Sequence, residues 1–155
     1  MNEPRTISCT FNTTFAQIVK IDATLSAFKL ACEHVHRSIP PNLKNEVAIQ
    51  ALIYHQIREE FHLPAQLAIH VIRRVANTRK LPDQIVFSNS TVYDVRSISL
   101  RPTDWTVSLS TVAGRERFPL VITNYQRGLL LQHQLKIKTA VLSSKLDRYW
   151  LTIKI

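Results

Sequence analysis

Arg5-Thr-Ile-Ser-Cys-Thr-Phe11 opens the chain with apolar Ile7, Cys9 and Phe11 alternating against polar neighbours. An alternation of period two marks a half-buried β-strand. One strand this short cannot stand alone, and the next segment is helical. Asn12, Thr13 and Thr14 offer helix N-cap chemistry. Ile18, Ile21, Leu25, Phe28, Cys32, Val35 and Ile39 then recur at three-four spacing, the stripe of a helix longer than twenty residues. Pro40-Pro41 ends it. Asn42 or Asn45 caps a second helix, with Val47, Ala51, Tyr54, Arg58 and Phe61 on one face and Ile49, Leu52 and Ile57 on its neighbours. A break near His62 and Leu63 precedes Pro64, which suits the first turn of a third helix running to about Lys80.

From residue 84 the period returns to two. Ile85-Val86-Phe87 is a short apolar run. Val92 to Ile98 reads as one strand with apolar groups on both faces. Trp105, Val107 and Leu109 alternate with Thr106, Ser108 and Ser110 as a one-sided strand. Val112-Ala113-Gly114 reads as a turn, and Arg115 to Val121 returns from it. Asn124 to Gln132 fits a short helix. Lys136 to Leu142 and Tyr149 to Ile155 read as a final hairpin turning at Ser143-Ser144-Lys145. The simplest organisation is α+β. The opening strand (1–12) joins the later strands (83–155) in a β-barrel, and the three helices (13–82) are inserted between them.

Composition narrows the function. Only two glycines occur among 155 residues, so glycine-rich dinucleotide or phosphate-cradling loops are excluded. Cys9 and Cys32 are too isolated for a disulfide framework or a zinc pair and read as core thiols. No apolar run approaches the ~20 residues that span a bilayer, so a cytoplasmic protein with no membrane contact is expected. The net charge is +9, unevenly spread. Residues 1–60 hold six Lys/Arg and six Asp/Glu, whereas residues 61–155 hold fourteen and five. Clustered positive charge attracts polyanions by releasing their counterions.

Placed at about 100° per residue, the third helix puts Leu67, Ala68, Val71, Ile72, Val75 and Ala76 on one side. Gln66, His70, Arg73, Asn77 and Lys80 fall on the other, flanked by Arg74. That face carries no acid of its own, and Arg, Gln and Asn suit both phosphates and base edges. No catalytic residue, metal ligand or cofactor is expected. His34-Val35-His36 has the spacing of the metal-binding histidine pair of single-strand nickases, but on a helix the two histidines diverge by about 200°. A metal-dependent nickase, and a structural subunit docking an acidic partner, stay as alternatives.

Tyr54, Arg58 four residues on, Leu63-Pro64 and the helix ending in Lys80 together resemble the N-terminal half of TnpB proteins. These are transposon-encoded RNA-guided endonucleases related to type V CRISPR effectors. Ser108-Leu-Ser-Thr-Val-Ala-Gly114-Arg115, Tyr125-Gln-Arg127 with Leu129-Leu130, and Tyr149-Trp-Leu-Thr-Ile-Lys-Ile155 resemble later family segments in the same order. The resemblance implies a wedge-type, oligonucleotide-binding-like β-barrel interrupted by a three-helix recognition bundle. It implies guide RNA and double-stranded DNA as partners, with a short DNA motif read beside the transposon or target, and it adds Tyr54 and Arg58 of the second helix to the candidate nucleic-acid-binding set. The family's acidic RNase-H-like nuclease and its zinc ribbon have no counterpart in these residues. The chain is therefore expected to bind rather than to cut, with the nuclease a separate or C-terminal unit.

Overall fold

A computed structural model describes residues 5–81 and 86–155. The elements run β1 (Thr6–Phe11), α1 (Phe15–Ser38), α2 (Glu46–Phe61), α3 (Ala65–Arg79), β2 (Ser90–Tyr93), β3 (Ile98–Arg101), β4 (Thr106–Thr111), β5 (Gly114–Val121), α4 (Asn124–Gln132), β6 (Thr139–Lys145) and β7 (Arg148–Lys154).

Local chemistry sets the helix ends. Thr14 Oγ1 accepts the Gln17 N–H at 3.2 Å, and Gln17 Oε1 accepts the Thr14 N–H at 3.1 Å. This reciprocal capping box starts α1. Asn45 caps α2 by accepting the Ala48 N–H at 3.0 Å, and His62 closes α2 in the left-handed region (φ 54°). Pro64 lies one position earlier than the first turn, at the N-cap of α3. The α1 stripe is buried as its spacing requires, through Ile21, Leu25, Phe28, Cys32 and Val35. The buried face of α2 differs from the expected one. It is Ile49, Ile53 and Ile57, while Val47 and Leu52 are exposed. Two apolar stripes overlap on this helix, and the buried one is the one with three isoleucines at four-residue spacing.

The sheet is seven-stranded and antiparallel, ordered β2-β6-β7-β1-β5-β4-β3. The opening strand does join the later ones. Ile7 pairs with Ile153 and Cys9 with Leu151 on one side, and Phe11 pairs with Leu120 on the other. Residues 92–98 are not one strand. The Asp94 carboxylate accepts the Arg96 N–H at 2.9 Å and Ser97 Oγ accepts the Asp94 N–H at 3.0 Å, a local turn that splits the run into β2 and β3. These consecutive strands occupy opposite edges. Seven strands laid flat would part the edges by roughly 29 Å, but the five peptide steps from Tyr93 to Ile98 reach at most about 18 Å. The sheet must curl, and it forms a half-barrel. Tyr93, wholly buried, fastens the curl by donating its hydroxyl to the Ser110 carbonyl at 2.9 Å.

Three further expectations shift. The last hairpin turns at Leu146-Asp147, with φ of 51° and 62°, while Ser143 to Lys145 continue β6. Trp105 stands before β4 at φ 52°, with the Arg127 guanidinium 5.6 Å from its ring centre. Thr106 and Ser108 are buried too, beneath the Arg117 and Arg115 side chains that bond them, so β4 itself shows little surface on either side. Ile85 lies outside the described residues; Val86 is exposed, Phe87 is buried, and neither is in a strand.

Helices and sheet share one buried cluster. Phe28, Cys32, Leu67 and Val71 from the helices join Tyr93, Val107, Leu109 and Leu151 from the strands. Thr24 pins the two layers together: its hydroxyl donates to the Lys20 carbonyl at 2.8 Å and accepts the Val112 N–H at 3.2 Å. Among the described residues no helix is long and apolar enough to cross a membrane.

Candidate nucleic-acid interface

The apolar half of α3 is buried as expected. Its polar half is not one open face. His70 is only 4% exposed, with Nε2 3.3 Å from Asp94 Oδ2 and off the line of a good hydrogen bond. Burial lowers the His70 pKa, aided by Arg73 and Arg74 and opposed by Asp94. Arg74 lies with its guanidinium carbon 4.8 Å from the Phe28 ring centre, and Nη1 donates to the Ser90 carbonyl at 2.5 Å. These two residues tie α3 to α1, β2 and the turn after it. They are built into the interior side of the helix rather than offered to a ligand.

What remains outward is a row. Arg73, Asn77 and Lys80 are exposed at i, i+4 and i+7. Arg73 Nε donates to Glu46 Oε1 at 3.2 Å. The face is therefore not free of acid: Glu46 from α2 reaches Arg73, and Asp94 reaches His70. Surface pairs of this kind are weak, on the order of 0.2–1 kcal/mol, so a phosphate can displace Glu46. Gln66 is half-exposed at the start of α3. Tyr54 is half-buried under Arg58, whose guanidinium sits 5.8 Å from the ring centre. Arg58 Nε also donates to the Leu63 carbonyl at 3.3 Å, bracing the α2–α3 corner.

Arg79 lay outside the expected set. It is 6% exposed and donates to His36 Nδ1 at 3.0 Å and to the carbonyls of His36, Pro40 and Leu43 at 2.6, 2.6 and 2.8 Å. Nothing in the sequence separates it from its exposed neighbours, because three of its four acceptors are backbone carbonyls, at the end of α1 and in the segment after it. His34 and His36 both lie on α1 and part company there. His34 faces Glu60 (3.7 Å) and Gln56 (3.4 Å), and His36 faces Arg79. Among the described residues no three His, Cys, Asp or Glu side chains group as metal ligands. Burial pushes both Cys9 and Cys32 thiols up to about 12, which leaves them protonated and inert.

The larger share of the excess positive charge lies in the sheet half of the chain. Residues 86–155 contain ten Lys/Arg and four Asp/Glu. Among the described residues, Arg101 with Asp104 is the one ion pair those ten make. Glu116 is taken by Lys20 of α1 at 3.0 Å and Asp94 faces His70. A cleft of about 540 Å³ lined by Asp22, Ser26, Lys29, Leu30, Glu33 and Asn89 mixes both signs and does not suit a polyanion. The chain matches no protein-family model and no curated protein sequence.

Proposed function

We propose that this chain is a nucleic-acid-binding module, corresponding to the wedge and recognition half of a TnpB-like RNA-guided endonuclease. On this reading it grips guide RNA and reads a short motif in double-stranded DNA. Cleavage belongs to an RNase-H-like nuclease unit outside these residues. The observation that carries the proposal is the uncompensated charge of the sheet half, where four carboxylates stand against ten cations and two of the four, Glu116 and Asp94, are engaged by the helices. A surface that repels itself in this way is relieved by an anionic ligand that spans many cations at once. The Arg73-Asn77-Lys80 row adds side chains suited to base edges. The curled antiparallel half-barrel with helices between its first two strands supports the oligonucleotide-binding-like wedge reading.

The test is filter binding of the full chain to structured RNA and duplex DNA between about 50 and 200 mM salt. The expected log–log slope is steep, roughly 0.7–0.9 per phosphate neutralised. Absence of binding, or a flat salt response, overturns the proposal. Sequencing the nucleic acid that co-purifies identifies the RNA. Retention of a protein partner after complete nuclease digestion, with no nucleic acid bound, would instead favour the structural-subunit reading.

A further inference from the structure

The three strands β3, β4 and β5 separate their side chains by register. Ile98 pairs with Leu109, Leu100 with Val107 and Val107 with Phe118, and these point into the core. The alternate positions face outward: Ser99 beside Ser108, Arg101 beside Thr106, Ser108 beside Arg117 and Ser110 beside Arg115. The outer face is thus a lattice of three arginines and four hydroxyl side chains. The arginines lie along the sheet rather than standing off it. Arg115 Nε donates to Ser108 Oγ at 2.8 Å and Arg117 Nη1 donates to Thr106 Oγ1 at 3.1 Å. Arg115 Nη1 reaches the Arg96 carbonyl at 3.2 Å, which brings that turn and its exposed arginine alongside.

The charge balance of this face decides its use. Asp104 is the carboxylate here, and Arg101 holds it through Nε and Nη2, one to each oxygen. Arg115 and Arg117 hold neutral hydroxyls, which orient the guanidinium without cancelling its charge. Glu116 between them points to the other side of the sheet, to Lys20. A solvated outer sheet face ordinarily mixes signs and cross-strand pairs of opposite charge. Here two arginines with spare N–H donors stand on one strand at i and i+2, their backbone positions about 7 Å apart, comparable to the separation of successive phosphates along an extended strand. Their orientation is already fixed, so less rotamer freedom is lost when a phosphate arrives.

We propose that the outer face of β3–β4–β5 is a second binding surface, taking a single nucleic-acid strand through its sugar–phosphate backbone, with Arg115 and Arg117 on successive phosphates. This rests on the nucleic-acid-binding reading above and assigns the strand to a surface other than the α3 row. The strip is three strands wide and its connecting turns, residues 102–105 and 112–113, are short, so the strands are joined by no helix or long loop to enter a duplex groove, which favours an unpaired strand.

The experiment measures fluorescence anisotropy of the full chain with a labelled unstructured oligonucleotide and with a duplex of equal length. Arg115→Gln with Arg117→Gln is compared with Arg73→Gln with Lys80→Gln. The sheet variant is expected to weaken single-strand binding at least about tenfold and to lower the salt slope by about 1.4, two contacts at roughly 0.7 each, while duplex binding changes less. If wild type binds no probe, the nucleic-acid reading itself fails. If wild type binds and the sheet variant keeps both affinity and slope, the reading stands and this surface is wrong. Loss of duplex binding alone also overturns it. A variant-free measurement guards against misfolding: saturating oligonucleotide should protect Arg115 and Arg117 from phenylglyoxal, read by mass spectrometry. Unchanged modification overturns the proposal.

Discussion

Arg79 Nε donates to His36 Nδ1 at 3.0 Å, joining residues 43 positions apart. The bond requires Nδ1 to be unprotonated. The same guanidinium closes three backbone carbonyls at the end of α1 and in the segment leading to α2, so the end of α3 holds the end of α1 in place.

Acid should loosen this arrangement. Burial, then the Arg79 charge, lowers the His36 pKa below its ordinary 6.5, and burial lowers that of His70. A histidine depressed in the fold binds fewer protons folded than unfolded. Its stability contribution is complete above pH 6.5 and is lost as pH falls through the depressed folded values. The urea midpoint should therefore drop between about pH 7.5 and pH 5. His36→Asn combined with His70→Asn should flatten that drop.

Arg79→Ala should destabilise strongly, because buried carbonyls lose their donor. A cost of about 3 kcal/mol follows from unsatisfied groups of this kind, or a fall of roughly 6–12 °C in Tm for a chain of this size. Arg79→Lys should recover little of it, since one ammonium cannot reproduce a planar fork across several acceptors.

Adjacent arginines on α3 should behave oppositely. Arg74→Ala loses the Phe28 contact and the Ser90 bond and should cost about 1–3 kcal/mol in urea unfolding. Arg73→Ala loses an exposed pair with Glu46 and should stay within about 0.5 kcal/mol of wild type while weakening RNA or DNA binding. Equal stability losses would contradict the division of roles.

The Leu146-Asp147 turn is unfavourable for its residues. Both take positive φ between the paired Lys145 and Arg148, the geometry that selects Asn-Gly. Leu146→Asn with Asp147→Gly should stabilise by about 1 kcal/mol and raise Tm by roughly 2–4 °C, measured by thermal unfolding.

Those cases show what could be read in advance. Thr14, Asn45 and Pro40 announce helix boundaries because caps and proline act on their own few residues. The apolar side of α3 and the turn at Gly114 were legible for the same reason. The split at Asp94 was not, since alternation continues through it and two side-chain-to-backbone bonds divert the chain. The turn at Leu146 carries no turn residue of the favoured kind. For the candidate interface, periodicity placed His70 and Arg74 beside Arg73 and Lys80. It could not see Asp94, Phe28 or Ser90 arriving from other elements to cover the first two. Arg115 and Arg117 were visible as an alternation, but their shared face emerges only when β4 pairs with both neighbours.

The first and last described residues exchange hydrogen bonds: Ile155 N donates to Arg5 O at 2.9 Å and Arg5 N to Ile155 O at 3.4 Å. A circular permutant that links these ends and reopens the chain at the exposed Ala113–Gly114 hairpin would keep every strand neighbour. What the molecule preserves is adjacency, and the order in which a ribosome delivers its strands is one of several orders that would serve.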